Sequence, residues 1–279
     1  MISSTANSKV KRLAALVQKA KMRREEQLFV VEGVRMFCEA PIQWIREVYV
    51  SESFLRKAEQ NVLDKNAPGI RDRLKKCHYE VFADDVFKKV SDTQTPQGVL
   101  CVLAMPRYVL ADCVDRWMTD RPPLLILLED LQDPGNLGTI LRAGEGAGVD
   151  GVIMTRQTVD LFNPKVIRAT MGSIYRLPFF VVDDLGGTID HLRDKGVRVY
   201  AAQLDGGTDY DEPDYTEPSA FLIGNEGNGL RRETAERASQ YIRIPMAGQV
   251  ESLNAAAAAT ILMYEAARQH RRKTLKKVK

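Results

Sequence analysis

The chain alternates short runs of β-branched and aromatic residues with longer stretches of helical spacing, and the pattern changes character near residue 122. Residues 8–26 read as a basic helix, with a strand on LFVVE directly after it. WIREVYV (44–50), YEVF (79–82) and GVLCVLA (98–104) are further strands with helical stretches between them. This alternation predicts a small α/β domain over residues 1–105. Pro106 and the Pro122–Pro123 pair bound a connector, placed at 106–121, whose middle (Val109–Met118) has room for a short helix. From Leu124 the strands become continuous apolar runs. LLILL (124–128) has the texture of a parallel strand covered on both faces, and GVIM (151–154), PFFVV (178–182), VRVYAA (197–202), AFLI (220–223) and YIRI (241–244) follow it. Helical segments fill the intervals, so residues 122–279 read as a doubly wound α/β domain built on a parallel sheet. Asn163–Pro164 is an N-cap and first turn for a helix through Gly172. The last helix, from about Ser252 into a basic tail, is rich in alanine.

Composition narrows the class. A length of 279 residues accommodates two domains, and 44% hydrophobic with 28% charged residues is ordinary for a globular chain. The longest uninterrupted apolar run, Val99–Met105, is far short of the roughly 20 residues that span a bilayer, and so is the run Ala255–Ala259, so no membrane is expected. Lys9, Lys11 and Arg12 are not followed by the apolar region of a signal peptide, which points to a cytoplasmic protein. Cys38, Cys77, Cys101 and Cys113 form no CxxC pair, and His78, His191 and His270 are dispersed, so neither a metal site nor a Ser-His-Asp triad is expected. Charge is more telling. Residues 1–24 and 268–279 each hold seven basic groups and no acids, leaving 26 basic against 37 acidic residues between them. Basic ends on an acidic body suit a polyanionic partner, because lysine and arginine contacts to phosphate give sequence-independent affinity.

Three polar, glycine-bearing loops follow predicted strands at their carboxyl ends, where ligands bind in open α/β sheets. They are EDLQDPGNLGTILRAGEGAG (129–148), GNEGNGL (224–230) and PMAGQVESLN (245–254). Familiar nucleotide signatures do not fit. Gly224, Gly227 and Gly229 give the dinucleotide fingerprint in reverse, and Leu230 and Arg231 stand where a P-loop needs Lys and Ser/Thr. A nucleotide-dependent oxidoreductase is therefore disfavoured.

The same loops resemble the three motifs of the SpoU/TrmH family of RNA ribose 2′-O-methyltransferases. The match runs through Asn136, Gly138 and Arg142, then Gly224-Asn225-Glu226-Gly227, then Ile244-Pro245-Met246 with Ser252-Leu253-Asn254. VDLFNPKVIRATMGSIYRLP (159–178) also resembles the family. VKRLAAL (10–16), FVVEG (29–33) and TPQGV (95–99) resemble the substrate-binding domain of many members.

The resemblance implies a SPOUT fold, a parallel sheet with a deep trefoil knot, over 122–279, after an RNA-binding α/β domain. It implies S-adenosylmethionine as the cofactor, structured RNA, ribosomal by analogy, as the substrate, and a homodimer; it implies no metal. The cofactor would be held by Gly224, Asn225, Gly227, Ile244, Met246, Ser252 and Leu253, the second-loop glycines letting backbone approach it closely. Arg142, Asn136, Glu226 and Asn254 would serve catalysis. An arginine stays protonated, so Arg142 fits the holding of a phosphate and the stabilising of an oxyanion better than the role of a base. Asn136 has two candidate tasks, orienting the ribose or orienting Arg142. Glu226 has two candidate partners, Arg142 or a backbone donor in the second loop. Capping of the last helix alone accounts for Ser252 or Asn254 equally well. A tRNA methyltransferase and a non-catalytic RNA-binding or ribosome-associated protein remain as alternatives; the second predicts broken motifs, whereas Arg142, Glu226 and Asn254 are all present.

Overall fold

The computed structural model describes residues 1–60, 62, 69–204 and 207–277, and the side chains of all of these except 120 and 274–277. It divides into two compact units, residues 1–107 with 162–175, and residues 108–161 with 176–279.

The first unit begins with α1 (Ser8–Gln18), capped by the Asn7 side chain, which accepts from the Lys9 backbone N–H at 2.9 Å. Its apolar stripe of Val10, Leu13, Leu16 and Val17 is buried. The single helix expected over 8–26 is two, because Lys19 is extended (φ −116°, ψ 112°) and α2 (Ala20–Glu26) starts afresh. The break is held from the far side. The buried Arg23 side chain donates to the carbonyls of Leu16 and Val17 at 2.7 and 2.8 Å, satisfying acceptors that the end of α1 leaves open. The elements that follow are β1 (Leu28–Glu32), α3 (Val34–Glu39), β2 (Ile45–Ser51), α4 (Glu52–Glu59), α5 (Ile70–Lys76), β3 (Tyr79–Phe82), α6 (Asp84–Val90) and β4 (Val99–Ala104). The sheet order is β1-β4-β2-β3, antiparallel except for the β2–β3 pair. α1 and α6 cover one face through Leu13, Leu16, Val86 and Phe87 against Tyr49, Phe82 and Val102.

The basic N-terminus is therefore not a free tail. Arg12 is held by Glu26 and Glu47, Lys9 pairs with Glu80 at 2.5 Å, and Arg23 is interior. Lys11, Lys19 and Arg24 stay exposed and make no ion pair among the described residues.

The second unit runs α7 (Leu110–Asp120), β5 (Leu124–Leu128), α8 (Pro134–Ala147) and β6 (Gly151–Thr155). The chain then leaves it for α9 (Pro164–Thr170), which lies in the first unit. It returns with β7 (Phe179–Val182), α10 (Leu185–Asp194), β8 (Arg198–Ala202), the two-residue β9 (Thr208–Asp209), β10 (Ser219–Ile223), α11 (Arg232–Ala235), β11 (Gln240–Arg243) and α12 (Ala255–Lys277). The sheet order β7-β6-β5-β10-β8-β11-β9 is parallel throughout. Every residue of β5, β6 and β10 is buried, the consequence of helices on both faces. One face packs α7 and α10 through Val114, Trp117, Ile189 and Leu192 against Leu125, Leu127, Val199 and Leu222. α12 packs against α8 and β10. Among the described residues no helix is long and apolar enough to cross a membrane.

Two boundaries differ from the sequence expectation. The stretch 106–121 carries α7, and Trp117 lies so close over Gly151 that a Cβ there would meet its ring at 2.4 Å, so most of this segment is core of the second unit. Residues 162–175, placed within 122–279, fold with the first unit. Phe162 packs on Phe29 (ring centroids 4.7 Å apart), Arg168 pairs with Asp92 at 2.5 Å, and the Tyr175 hydroxyl donates to the Met36 carbonyl at 3.0 Å. The C-terminal basic stretch continues α12 to Lys277; the side chains of 274–279 lie outside the described residues.

Arg23→Ala should destabilise the protein by about 1–3 kcal/mol, because two carbonyls lose a charged donor in a buried position. Denaturant unfolding followed by circular dichroism measures it, and an unchanged midpoint would remove the capping role.

Candidate active site

The carboxyl ends of the parallel strands all open on one edge, and three loops meet there. The first begins at Glu129. Asp133 caps α8 by accepting from the Asn136 N–H at 2.7 Å, and Pro134 occupies the first turn. This cap turns Asn136 inward, where it is 8% exposed. Its carboxamide then makes the two bonds that join the loops. Nδ2 donates to Glu226 Oε1 of the second loop at 3.0 Å, and Oδ1 accepts from Asn254 Nδ2 of the third at 2.9 Å. Asn254 spends its own oxygen on capping α12, accepting from the N–H groups of Ala256 and Ala257 at 3.0 and 3.2 Å. Glu226 also accepts from the backbone N–H groups of Gln132 (3.0 Å) and Asp133 (2.9 Å). Partial burial pushes the Glu226 carboxyl up, but these N–H donors outweigh it and hold it below the ordinary glutamate value.

The structure thus brings Asn136, Glu226 and Asn254 together and leaves Arg142 outside the cluster. Arg142 does not take Glu226, and the backbone donors Gln132 and Asp133 that do belong to the first loop rather than the second, as does Asn136. Arg142 lies on the exposed side of α8, where it makes no hydrogen bond or ion pair among the described residues. Of the two candidates for the cap of α12, Asn254 fills the position, while Ser252 is exposed and makes no hydrogen bond among the described residues.

The second and third loops, with the ends of β8, β10 and β11, enclose a cleft of about 760 Å³. Gly224, Asn225, Gly227, Ile244, Met246, Ser252 and Leu253 all line it, as does Glu226. The reason for Gly224 differs from the expected one. A Cβ there would meet the Gly229 carbonyl carbon at 2.2 Å, so glycine is required by the loop's own closure rather than by a ligand's approach. Asn225 is likewise occupied with the loop. It pairs with Gly229 through both backbone bonds, accepts from the N–H groups of Gly227 and Asn228, and donates to the Asp130 carbonyl at 2.8 Å. What it offers the cleft is backbone.

Sequence reasoning missed the strut beneath the second loop. Glu129, 1% exposed at the end of β5, accepts from the Arg231 N–H at 2.7 Å, from Arg231 Nε at 2.9 Å and from the Thr234 hydroxyl. A buried carboxylate needs such donors to remain charged. An acidic residue ending the LLILL run, with an arginine closing GNEGNGL, was the available signal. Missed too were Ala202, Gln203 and Leu204 after β8, and Ala258 and Leu262 of α12, which line the cleft without any motif to mark them. Among the described residues no group of three or more His, Cys, Asp or Glu is placed to hold a metal ion.

Comparison with known proteins gives this geometry its relatives. Residues 123–264 match the SpoU rRNA Methylase family and residues 7–101 match the MRM3-like substrate binding domain. The 23S rRNA (guanosine(2553)-2'-O)-methyltransferase RlmP of Bacillus subtilis is 35% identical over 263 residues, covering 94% of this chain and 97% of that protein. The crystal structure of an AdoMet-bound rRNA methyltransferase from Sinorhizobium meliloti superposes with a TM-score of 0.79 at 30% identity, over 96% of this chain and 97% of that one. The SpoU methyltransferase AviRb from Streptomyces viridochromogenes, in complex with AdoMet, also gives 0.79, at 27% identity over 95% of this chain and all of that one. With the second and third motif loops lining one cleft, the first tied to them through Asn136, and both parts of the chain matched along their length, the chain belongs to the SpoU family of rRNA methylases.

Proposed function

We propose that the chain transfers a methyl group from S-adenosylmethionine to a ribose 2′-oxygen of ribosomal RNA, acting in the cytoplasm as a homodimer. The observation that carries this reading is the Asn136 carboxamide, which ties the three motif loops into one cleft at the carboxyl edge of the sheet. The cleft fits the cofactor. Its volume of about 760 Å³ falls in the range of small-molecule sites, its walls include Ile223, Ile244, Leu253 and Leu262 for a purine, and the second and third loops line it. Family membership and the AdoMet-bound relatives support the same cofactor, and the substrate-binding domain and RlmP support ribosomal RNA. The trefoil knot, too, is proposed from the family.

Bound there, S-adenosylmethionine supplies a methyl group on a sulfonium sulfur. The chain must hold the ribose in line and stabilise the negative charge that grows on the 2′-oxygen. Arg142 is suited to that, being exposed, without a hydrogen-bond or ion-pair partner among the described residues, and carrying a guanidinium. Asn136, Glu226 and Asn254 act as positioning residues, since their polar atoms are already spent on one another and on the backbone. Gly224, Asn225, Gly227, Ile244, Met246, Ser252 and Leu253 hold the cofactor. Lys11, Lys19 and Arg24 are free to meet phosphate.

Ribose-methylation mapping of RNA from a deletion strain and its parent tests the reading: one 2′-O-methyl group should vanish from ribosomal RNA. Loss from tRNA alone would contradict the substrate, and no loss from any RNA would contradict the activity. Arg142→Ala should abolish methyl transfer while leaving affinity for S-adenosylhomocysteine within about twofold. Arg142→Lys should not restore it, because a planar fork is replaced by a point charge; near-normal kcat in the lysine variant would overturn the role. Light scattering should give about twice the chain mass of 31.3 kDa, and a monomer at micromolar concentration would refute the dimer.

A further inference from the structure

The charges around the cleft do not balance, and the imbalance points to a residue that the motifs leave without a task. Among the described residues three carboxylates line the cleft. Glu226 is satisfied by three N–H donors, and Glu236 is paired with Arg232 at 2.7 Å. Among the described residues that line it Arg232 is the one basic group, so none of them leaves a cation over. Glu251, in the third loop just before Ser252, is exposed and makes no hydrogen bond or ion pair among the described residues. It is a carboxylate on the rim of the cleft that no described residue of the chain neutralises.

We propose that Glu251 is a specificity-determining residue that receives a positive charge from the methionine end of the cofactor. The inference rests on the cofactor reading above and deepens it. S-adenosylmethionine carries two cationic groups, the sulfonium and the α-ammonium, and only one anionic group. A cleft with an uncompensated carboxylate selects that distribution over neutral adenosine derivatives. The interaction is partly solvated, since Glu251 is exposed, so it sets selectivity more than total affinity. Arg232 and Glu236, already joined to each other, cannot supply the same discrimination.

Isothermal titration calorimetry of the full chain at neutral pH and low salt tests this with three probes. S-adenosylmethionine carries both cations, S-adenosylhomocysteine only the ammonium, and 5′-methylthioadenosine neither. Glu251→Gln keeps the shape and removes the charge. Affinity for S-adenosylmethionine should fall about three- to fivefold, the size of one solvent-exposed charge pair, while that for 5′-methylthioadenosine stays unchanged. A parallel fall for S-adenosylhomocysteine assigns the contact to the ammonium, and no fall assigns it to the sulfonium; both outcomes support the proposal. Glu251→Lys should lower S-adenosylmethionine affinity further, and added salt should narrow the gap between wild type and variant. Equal losses for all three probes would mean that Glu251 only shapes the loop, and unchanged affinities would mean that it touches nothing; either overturns the proposal. A wild-type chain that binds none of the three would overturn the cofactor reading itself, and this inference with it.

Discussion

One carboxamide carries the connection between the three loops. Asn136 donates to Glu226 and accepts from Asn254, so a single side chain fixes the second and third loops to the first. Few residues can do this. Asparagine presents a donor and an acceptor in one rigid plane; aspartate has no donor, and leucine of similar size has neither. Each bond contributes only about 1 kcal/mol net. Their effect comes from what they join. Glu226 takes the N–H groups of Gln132 and Asp133 at the start of α8, and Asn254 starts α12. The fixed points are the ends of helices packed on the sheet, so the loops inherit the rigidity of the core.

A second anchor works from below. Glu129 sits at the end of β5 with almost no exposure, and its carboxylate gathers Arg231 and Thr234 from the chain just past the second loop. Removing the arginine would leave a buried charge with fewer donors, the costly arrangement. With Gly224 pressed against Gly229, the loop from 224 to 231 has little freedom left. An RNA methyltransferase of this family needs that stiffness, because methyl transfer depends on alignment of the reacting atoms more than on acid or base strength. Arg142 stands apart from this frame, exposed on α8 and without a hydrogen bond or ion pair among the described residues.

Much of this was legible in the sequence because its cause is local. Continuous apolar runs mark strands buried on both faces, and LLILL, GVIM and AFLI became β5, β6 and β10. Polar loops after them marked the ligand edge. What escaped depends on partners far along the chain. Nothing near Lys19 shows that the first helix breaks there; the reason is Arg23 folding back on Leu16 and Val17. The excursion of 162–175 into the first unit is decided by Phe29, Met36 and Asp92, more than 70 residues away in sequence. The short β9 offers two residues and no periodicity at all. At the site, the motifs marked Asn136, Glu226 and Asn254, which the structure brings together, but not their pairings: spacing cannot show that Glu226 takes Asn136 rather than Arg142.

The claim at the centre of this account is that the Asn136 bridge builds the cofactor cleft. Asn136→Asp tests it most directly, since the shape is kept while the donor to Glu226 becomes a like charge. Titration calorimetry with S-adenosylhomocysteine should show affinity reduced by about tenfold or more, with a melting temperature that moves by only a few degrees. Affinity within twofold of the wild type would mean that the three loops hold the cleft without Asn136, and would contradict the account.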